Sequence, residues 1–362
     1  MRPRLGDPID LFIGQPDFDV PDQIKQAAIE AIRSGFNKYT QTQGIKPLAD
    51  QVRASLACTP VPQARQRLRP AGDVRRGEAS GATDDVLRAA RRRGADPRPV
   101  LRDVQAPGEA QRGKPVFVDT YPDFQLKPER IEPLINERTK MLLFNSPSNP
   151  TGVVATAEAC KQIAELADRH NLLLVSDEIY DEFSYEKIDD PNHPGEKVVP
   201  SPLDHNPNVL LLNGYSKTYA MTGWRLGYAA GPSAVIGAMT KLQQYSFVCA
   251  PSVTQAAGAI AFNVDMAKHV DAYRCKRDMV VERLSPYYEL TTPGGAFYAF
   301  PKVPDHLGLN ATDFVKRAIE NSLLVIPGNV FSERDTHFRI SYACDNARLE
   351  RGLDVLVKLA KK

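Results

Sequence analysis

The chain has 362 residues, 42% of them apolar and 25% charged, with a formal net charge of +2. That is enough for two globular domains, and no apolar run approaches the roughly 18 residues of a membrane-spanning helix, so no membrane partner is expected. The N-terminal Met-Arg-Pro-Arg-Leu-Gly-Asp lacks the apolar core of a signal peptide, and five cysteines (58, 160, 249, 275, 344) show no Cys-x-x-Cys spacing, which together point to free thiols in the cytoplasm and to no metal site.

Residues 9–20 include Leu11-Phe12-Ile13-Gly14-Gln15-Pro16-Asp17-Phe18, a short apolar strand that breaks at Gly14 and turns at Pro16-Asp17. Ile24, Ala27, Ala28, Ala31 and Ile32 then recur at helical spacing, opened by Pro21 and closed by Gly35. A loop with Lys38-Tyr39-Thr40 and Gln43-Gly44-Ile45 follows.

Between Arg53 and Arg112 the composition changes. This block holds 13 Arg against seven Asp and Glu, and no Lys, His, Asn, Met, Ile, Phe, Tyr or Trp. Such composition suggests disorder or a linker. A nucleic-acid surface would need interleaved aromatics and helical spacing, which the block lacks, so no nucleic-acid partner is expected.

From Gly113 the pattern is that of an α/β protein. Val116-Phe-Val118, Met141-Leu-Leu-Phe144, Leu172 to Val175 and Val209-Leu-Leu-Leu212 read as strands. Between the second and third lies a helix with Thr156 as N-cap and Cys160, Ile163, Ala164 and Ala167 inward. Polar residues follow each strand: Asn145-Ser-Pro-Ser-Asn-Pro-Thr-Gly152, Ser176-Asp-Glu-Ile-Tyr180 and Gly214-Tyr-Ser-Lys217. Strand, helix, strand with polar carboxyl ends predicts a mostly parallel sheet that binds its ligand along that edge. Near Pro251–Leu284 one long helical pattern leads into a smaller C-terminal domain, where Thr292 to Phe300 reads as a turn and strand. Phe338-Arg-Ile-Ser-Tyr342 is a short strand with one arginine among apolar residues. No internal repeat is present.

The chemistry concentrates in Gly214-Tyr-Ser-Lys-Thr-Tyr-Ala-Met-Thr-Gly-Trp-Arg-Leu-Gly-Tyr228. A lysine among small and hydroxyl residues can form a Schiff base with an aldehyde cofactor, and an arginine eight positions on can grip a phosphate in a planar fork. The segment resembles the cofactor-lysine signature of class I/II pyridoxal-phosphate aminotransferases of fold type I, in their aspartate-aminotransferase-like branch. The resemblance covers about residues 10–50 and 113–360.

That resemblance implies an α/β fold of the fold type I transferases: a mostly parallel central sheet in a large domain plus a smaller α+β C-terminal domain. Residues 1–20 would join the small domain, 21–255 form the large one and 256–362 the small one. Pyridoxal 5′-phosphate would be held by Lys217, with Asp177 keeping its ring nitrogen protonated and Asn149 and Tyr180 bonding its phenolic oxygen. Ser216 and Arg225 would serve the phosphate, joined by Tyr39 from a partner subunit, which makes the protein a homodimer. Arg339 would bind the substrate carboxylate together with Asn149 and the backbone at Gly14. Lys217, Asp177 and Tyr180 form the catalytic set. The implied reaction moves an amino group from an amino acid to a 2-oxo acid, 2-oxoglutarate, in ping-pong fashion. The same fold hosts C–S lyases, cyclopropane-forming synthases and decarboxylases, so these stay open.

Residues 53–112 depart from the family, which places two helices, a phosphate-cradling turn and a cofactor-stacking aromatic there. Permitted codons for Arg98 to Gln111, read one base later, spell Asp-Pro-Tyr-Phe-Val-Met-Tyr-Lys-His-Leu-Val-Lys-Leu, which resembles the family's segment. The block thus reads as frameshifted, and Gly77-Glu-Ala-Ser-Gly81 as the remnant of the turn. A damaged chain that no longer holds its cofactor is the alternative reading.

Overall fold

The structure, a computed structural model, describes residues 8–57, 94–98, 115–189 and 197–361. The chain opens with β1 (Ile9–Asp10), α1 (Asp22–Arg33) and α2 (Lys46–Ala57). Next come β2 (Gly94–Arg98), β3 (Val116–Asp119), a single helical turn α3 (Pro128–Ile131), β4 (Met141–Asn145), α4 (Ala157–Arg169) and β5 (Leu173–Asp177). An antiparallel pair, β6 (Ile188–Asp189) and β7 (Lys197–Val198), precedes β8 (Val209–Gly214) and β9 (Gly227–Ala230). Helices α5 (Ser233–Ser246), α6 (Ser252–Ala261) and α7 (Ala267–Leu284) follow. The C-terminal part holds β10 (Tyr298–Ala299), α8 (Ala311–Glu320), β11 (Leu323–Leu324), β12 (Ile326–Pro327), β13 (Phe338–Ser341) and α9 (Asn346–Ala360).

The central sheet runs β3-β2-β4-β5-β8-β9, parallel except for β9, which lies antiparallel to β8. Its middle strands are continuous apolar runs because both faces are covered: Leu142, Leu174 and Leu211 pack into one core, Leu143, Val175 and Leu212 into another. Register sets Asn145 opposite Asp177, and Asp177 opposite Leu212, so the polar strand ends emerge along a single edge. Helix α4 begins as the sequence predicts: Thr156 Oγ1 accepts from the Ala159 amide at 3.1 Å, and Cys160, Ile163, Ala164 and Ala167 face inward.

The second core is rich in aromatics, with Tyr273, Phe297, Tyr298, Phe314, Phe338 and Tyr342 all buried. Its sheet is the antiparallel β10-β13-β12. The N-terminal segment adds β1 alongside β11, and Leu11 is buried in the same core. Further on, Asp17 is clamped by the Tyr273 hydroxyl and the Lys276 ammonium, each at 2.5 Å, while Phe18 stacks on His269. Residues 11–16 are therefore held at both ends.

Three sequence expectations change. The pattern over Pro251–Leu284 is not one helix: it breaks between α6 and α7, where the Asp265 carboxylate accepts from the Ala267 amide at 2.8 Å and starts a new helix. Helix α6 packs with the first core through Ala257, Ala259 and Ala261. In α1, Ile24, Ala28 and Ala31 form the buried stripe, whereas Ile32, one residue off it, is 55% exposed. Finally, the Arg-rich block is not wholly linker: Lys46–Ala57 continues into it as helix, and Gly94–Arg98 forms a strand between β3 and β4. Gly77–Gly81 and the segment behind the frameshift reading from Pro99 to Arg112 lie outside the described residues.

Candidate active site

Lys217 sits in the loop that leaves β8, above the buried Tyr215. Its Nζ donates to the Gly14 carbonyl at 2.6 Å and lies 5.6 Å from the Tyr180 ring and 5.9 Å from that of Phe297. Burial, the largest cause, and the Arg339 and Arg225 cations together lower its pKa to about 8, against the opposing pull of Asp177. The lowered pKa favours the neutral form of this amine.

Asp177 ends β5. Its carbonyl accepts from Asn145 Nδ2 at 3.0 Å, and its Oδ1 accepts from the Ile179 amide at 3.3 Å. Its neighbour Glu178 is buried. The Glu178 Oε1 accepts from Ser176 and Ser201 hydroxyls at 2.6 and 2.7 Å. Burial outweighs those two bonds and pushes Glu178 up to about 8. Of the two adjacent acids, Asp177 is the one whose charge reaches Lys217.

Asn149 lies in the loop after β4, where its amide donates to Asn145 Oδ1 at 3.1 Å. Gly152 closes that loop at φ +71°, hard against the Tyr298 carbonyl and Pro293, a place that admits no side chain. The Asn149 Oδ1 accepts from Arg339 Nη1 at 2.9 Å. Arg339, on β13 and 5% exposed, also donates from Nη2 to the Phe12 carbonyl at 2.7 Å. Its guanidinium lies 4.5 Å from the Tyr298 ring and 5.0 Å from that of Phe331. Its buried Nε–H has no partner among the described residues. Tyr180 is buried, its hydroxyl 2.9 Å from that of Tyr298, and burial raises its pKa well above the ordinary phenol value.

Contacts therefore join Lys217 to Gly14 and Tyr180, and Arg339 to Asn149, the two sets meeting through Tyr298, while charge links Asp177 and Arg225 to Lys217. Ser216 is half-buried beside the lysine. Arg225 is exposed, in left-handed backbone at φ +55°, and donates to the Thr222 carbonyl at 3.0 Å. Tyr39 stands apart: it is 85% exposed, on a loop fixed by Gln255 and Gln243 through Thr40, Thr42 and Ile45. The sequence did not single out Phe297, Tyr298, Phe331 or the Phe12 carbonyl. The Gly294-Gly295 turn before two buried aromatics was the available signal for the first pair, whereas a backbone carbonyl leaves none.

The Lys217 amine and the Asp177 carboxylate stand at the edge of the parallel sheet, Arg339 faces them from the small antiparallel sheet, and the architecture is that of the fold type I transferases. The family model "Aminotransferase class I and II" matches residues 6–356, and the chain belongs to that family of pyridoxal-phosphate enzymes. It is 33% identical to a probable aspartate aminotransferase of Methanocaldococcus jannaschii over 98% of this chain and 94% of that protein. It is 32% identical to aromatic-amino-acid aminotransferase 2 of Thermococcus litoralis, over 98% and 92%. Among solved structures, the aspartate aminotransferase of Thermotoga maritima superposes with a TM-score of 0.87 at 28% identity, covering 98% of this chain and 92% of that one. The aromatic aminotransferase of Pyrococcus horikoshii gives 0.84 at 30% identity, covering 98% and 96%.

Proposed function

We propose that this aminotransferase takes an amino group from an L-amino acid and passes it to 2-oxoglutarate in two successive half-reactions, with pyridoxal phosphate held at Lys217. The observation that carries the reading is convergence: the Lys217 amine and the Arg339 fork both end on the segment Phe12–Gly14, from opposite sides of the site. The donor set fits the cofactor. Lys217 offers a partly neutral amine, Asp177 an anion, Asn149 and Tyr180 polar groups, and Arg339 an unpartnered N–H. Bound there, the cofactor supplies an electron sink through its protonated ring.

The chain supplies the rest. Asp177 holds the proton on the ring nitrogen, while Asn149 and Tyr180 bond the phenolic oxygen. Ser216 and Arg225 take the phosphate, with Tyr39 of the partner subunit. Arg339 turns its fork to the substrate carboxylate, assisted by Asn149 and the Gly14 backbone. Lys217 would move the proton at the substrate Cα, as base and then as acid.

Ile32, Phe36, Tyr39, Tyr245 and Phe247 are exposed large hydrophobics, and we assign them to contact with a second copy of the chain. We assign residues 1–20 and the chain from α7 onward to the small domain and the part between to the large one, a boundary moved from residue 256 because Ala257, Ala259 and Ala261 of α6 pack in the first core. The cytoplasm is the assigned compartment, in keeping with free Cys160, Cys249, Cys275 and Cys344.

The test is glutamate formation from 2-oxoglutarate with aspartate and aromatic amino acids as donors, the classes named for the relatives. Parallel lines in double-reciprocal plots are expected. Release of ammonia and a 2-oxo acid without any acceptor would instead identify a lyase.

A further inference from the structure

Tyr298, which the sequence did not single out, touches three parts of the site. It lies on β10, paired to Ser341 on β13 two residues beyond Arg339, so the two side chains come from adjacent strands. Its ring faces the Arg339 guanidinium at 4.5 Å, and its hydroxyl is 2.9 Å from that of Tyr180. A Cβ added at Gly14 would collide with the same hydroxyl, so Tyr298 also sets how closely the Phe12–Gly14 segment approaches. One side chain thus contacts the carboxylate-binding arginine, the tyrosine beside Lys217 and the loop whose carbonyls receive both cations.

A phenol has one proton to give and can accept on the same oxygen. If Tyr180 gave its proton to Tyr298, it would have none for a ligand near Lys217. If Tyr298 gives its proton, Tyr180 keeps its own and becomes the better donor, because linked hydroxyls polarise one another. We propose that Tyr298 is a positioning residue for the transfer: its ring seats the Arg339 fork, and its hydroxyl donates to Tyr180 so that Tyr180 points its own proton into the site. This rests on the reading of Lys217 and Tyr180 as the cofactor's partners.

Two halves of one side chain give two separable readouts. Tyr298→Phe keeps the ring and removes the hydroxyl; Tyr298→Leu removes both. Dicarboxylate affinity, measured with maleate on the cofactor-free chain, stays within about twofold for Tyr298→Phe and falls about tenfold for Tyr298→Leu. The Lys217-dependent absorbance of the loaded protein is then titrated against pH. A hydrogen bond to the phenolic oxygen favours loss of the proton from the nitrogen that Lys217 contributes. Weakening it raises the midpoint, by about half to one pH unit in Tyr298→Phe. Because the hydroxyl acts through Tyr180, the double variant Tyr180→Phe/Tyr298→Phe titrates like Tyr180→Phe alone. An unmoved midpoint in Tyr298→Phe, or additive shifts in the double variant, overturns the proposal while leaving the cofactor reading intact. Absence of any Lys217-dependent band in the unaltered protein overturns that reading and this proposal with it.

Discussion

On the sheet side of the site, Asn149, Asp177, Tyr180 and Lys217 stand at the ends of parallel strands. The facing wall is made by Arg339 and Tyr298 on a small antiparallel sheet and by the carbonyls of Phe12 and Gly14. The first wall is rigid because its strands are buried on both faces, and its chemistry is carried by side chains. The second depends on a segment anchored at its ends by β1 pairing and by the Asp17 clamp and held between them by Arg339 and Lys217, and much of its chemistry is backbone. The difference predicts that substitutions on the first wall remove chemistry, whereas substitutions on the second loosen substrate binding.

The largest effect on the second wall is expected at Arg339. Arg339→Leu removes two charge-assisted donors and leaves Asn149 Oδ1 and the Phe12 carbonyl short of a partner. KM for the amino donor should rise about 10²–10³-fold, with a smaller change in kcat. Arg339→Lys should recover only part of this, because an ammonium cannot bond a carboxylate bidentately. An unchanged KM in Arg339→Leu would remove the carboxylate-binding assignment.

Gly14→Ala comes next. The new methyl meets the Tyr298 hydroxyl, so the segment must shift away from Lys217 and Arg339. Stability should fall by about 1–3 kcal/mol with a parallel rise in KM, read by thermal unfolding and initial rates. Gly14→Ala combined with Tyr298→Phe should recover part of the loss.

The walls were not equally legible in the sequence. Apolar runs at Met141–Phe144 and Val209–Leu212 and the Thr156 cap follow from local rules, because parallel strands and helix starts are local patterns. Lys217 stood out as a lysine among small and hydroxyl residues, Asp177 as a carboxylate at a strand end and Arg339 as an arginine among apolar residues. Phe297 and Tyr298 did not, since an aromatic in a short strand looks the same whether it fills a core or seats an arginine. The break between α6 and α7 was missed because both helices have apolar faces and only Asp265 marks the restart. Ile32 shares the helical spacing of Ile24, Ala28 and Ala31 closely enough in sequence to read with them, yet it lies one residue off the buried stripe and is exposed.

Smaller effects concern pH. Lys217 is near 8 in the folded chain against 10.5 for a free lysine, so between those values the unfolded state binds more protons. This group therefore makes stability rise with pH from about 8 to 10, and below 8 its burial carries a constant penalty. Lys217→Met should raise the cofactor-free chain's unfolding midpoint at pH 7, and the gain should shrink above pH 8. Glu178 has the opposite sign: raised to about 8 from 4.5, it contributes stability in its protonated form that is lost as pH climbs through that window. Glu178→Gln should flatten this slope in thermal scans from pH 5 to 8. A slope unchanged in the variant would show that the Ser176 and Ser201 bonds hold Glu178 ionised throughout.

The most direct test of the account is the absorbance spectrum of the purified chain with added pyridoxal phosphate, before and after Lys217→Ala. The account predicts a band in the near-ultraviolet to violet that survives dialysis in the unaltered protein and is absent from the variant. No retained band, or the same band in both, would contradict it.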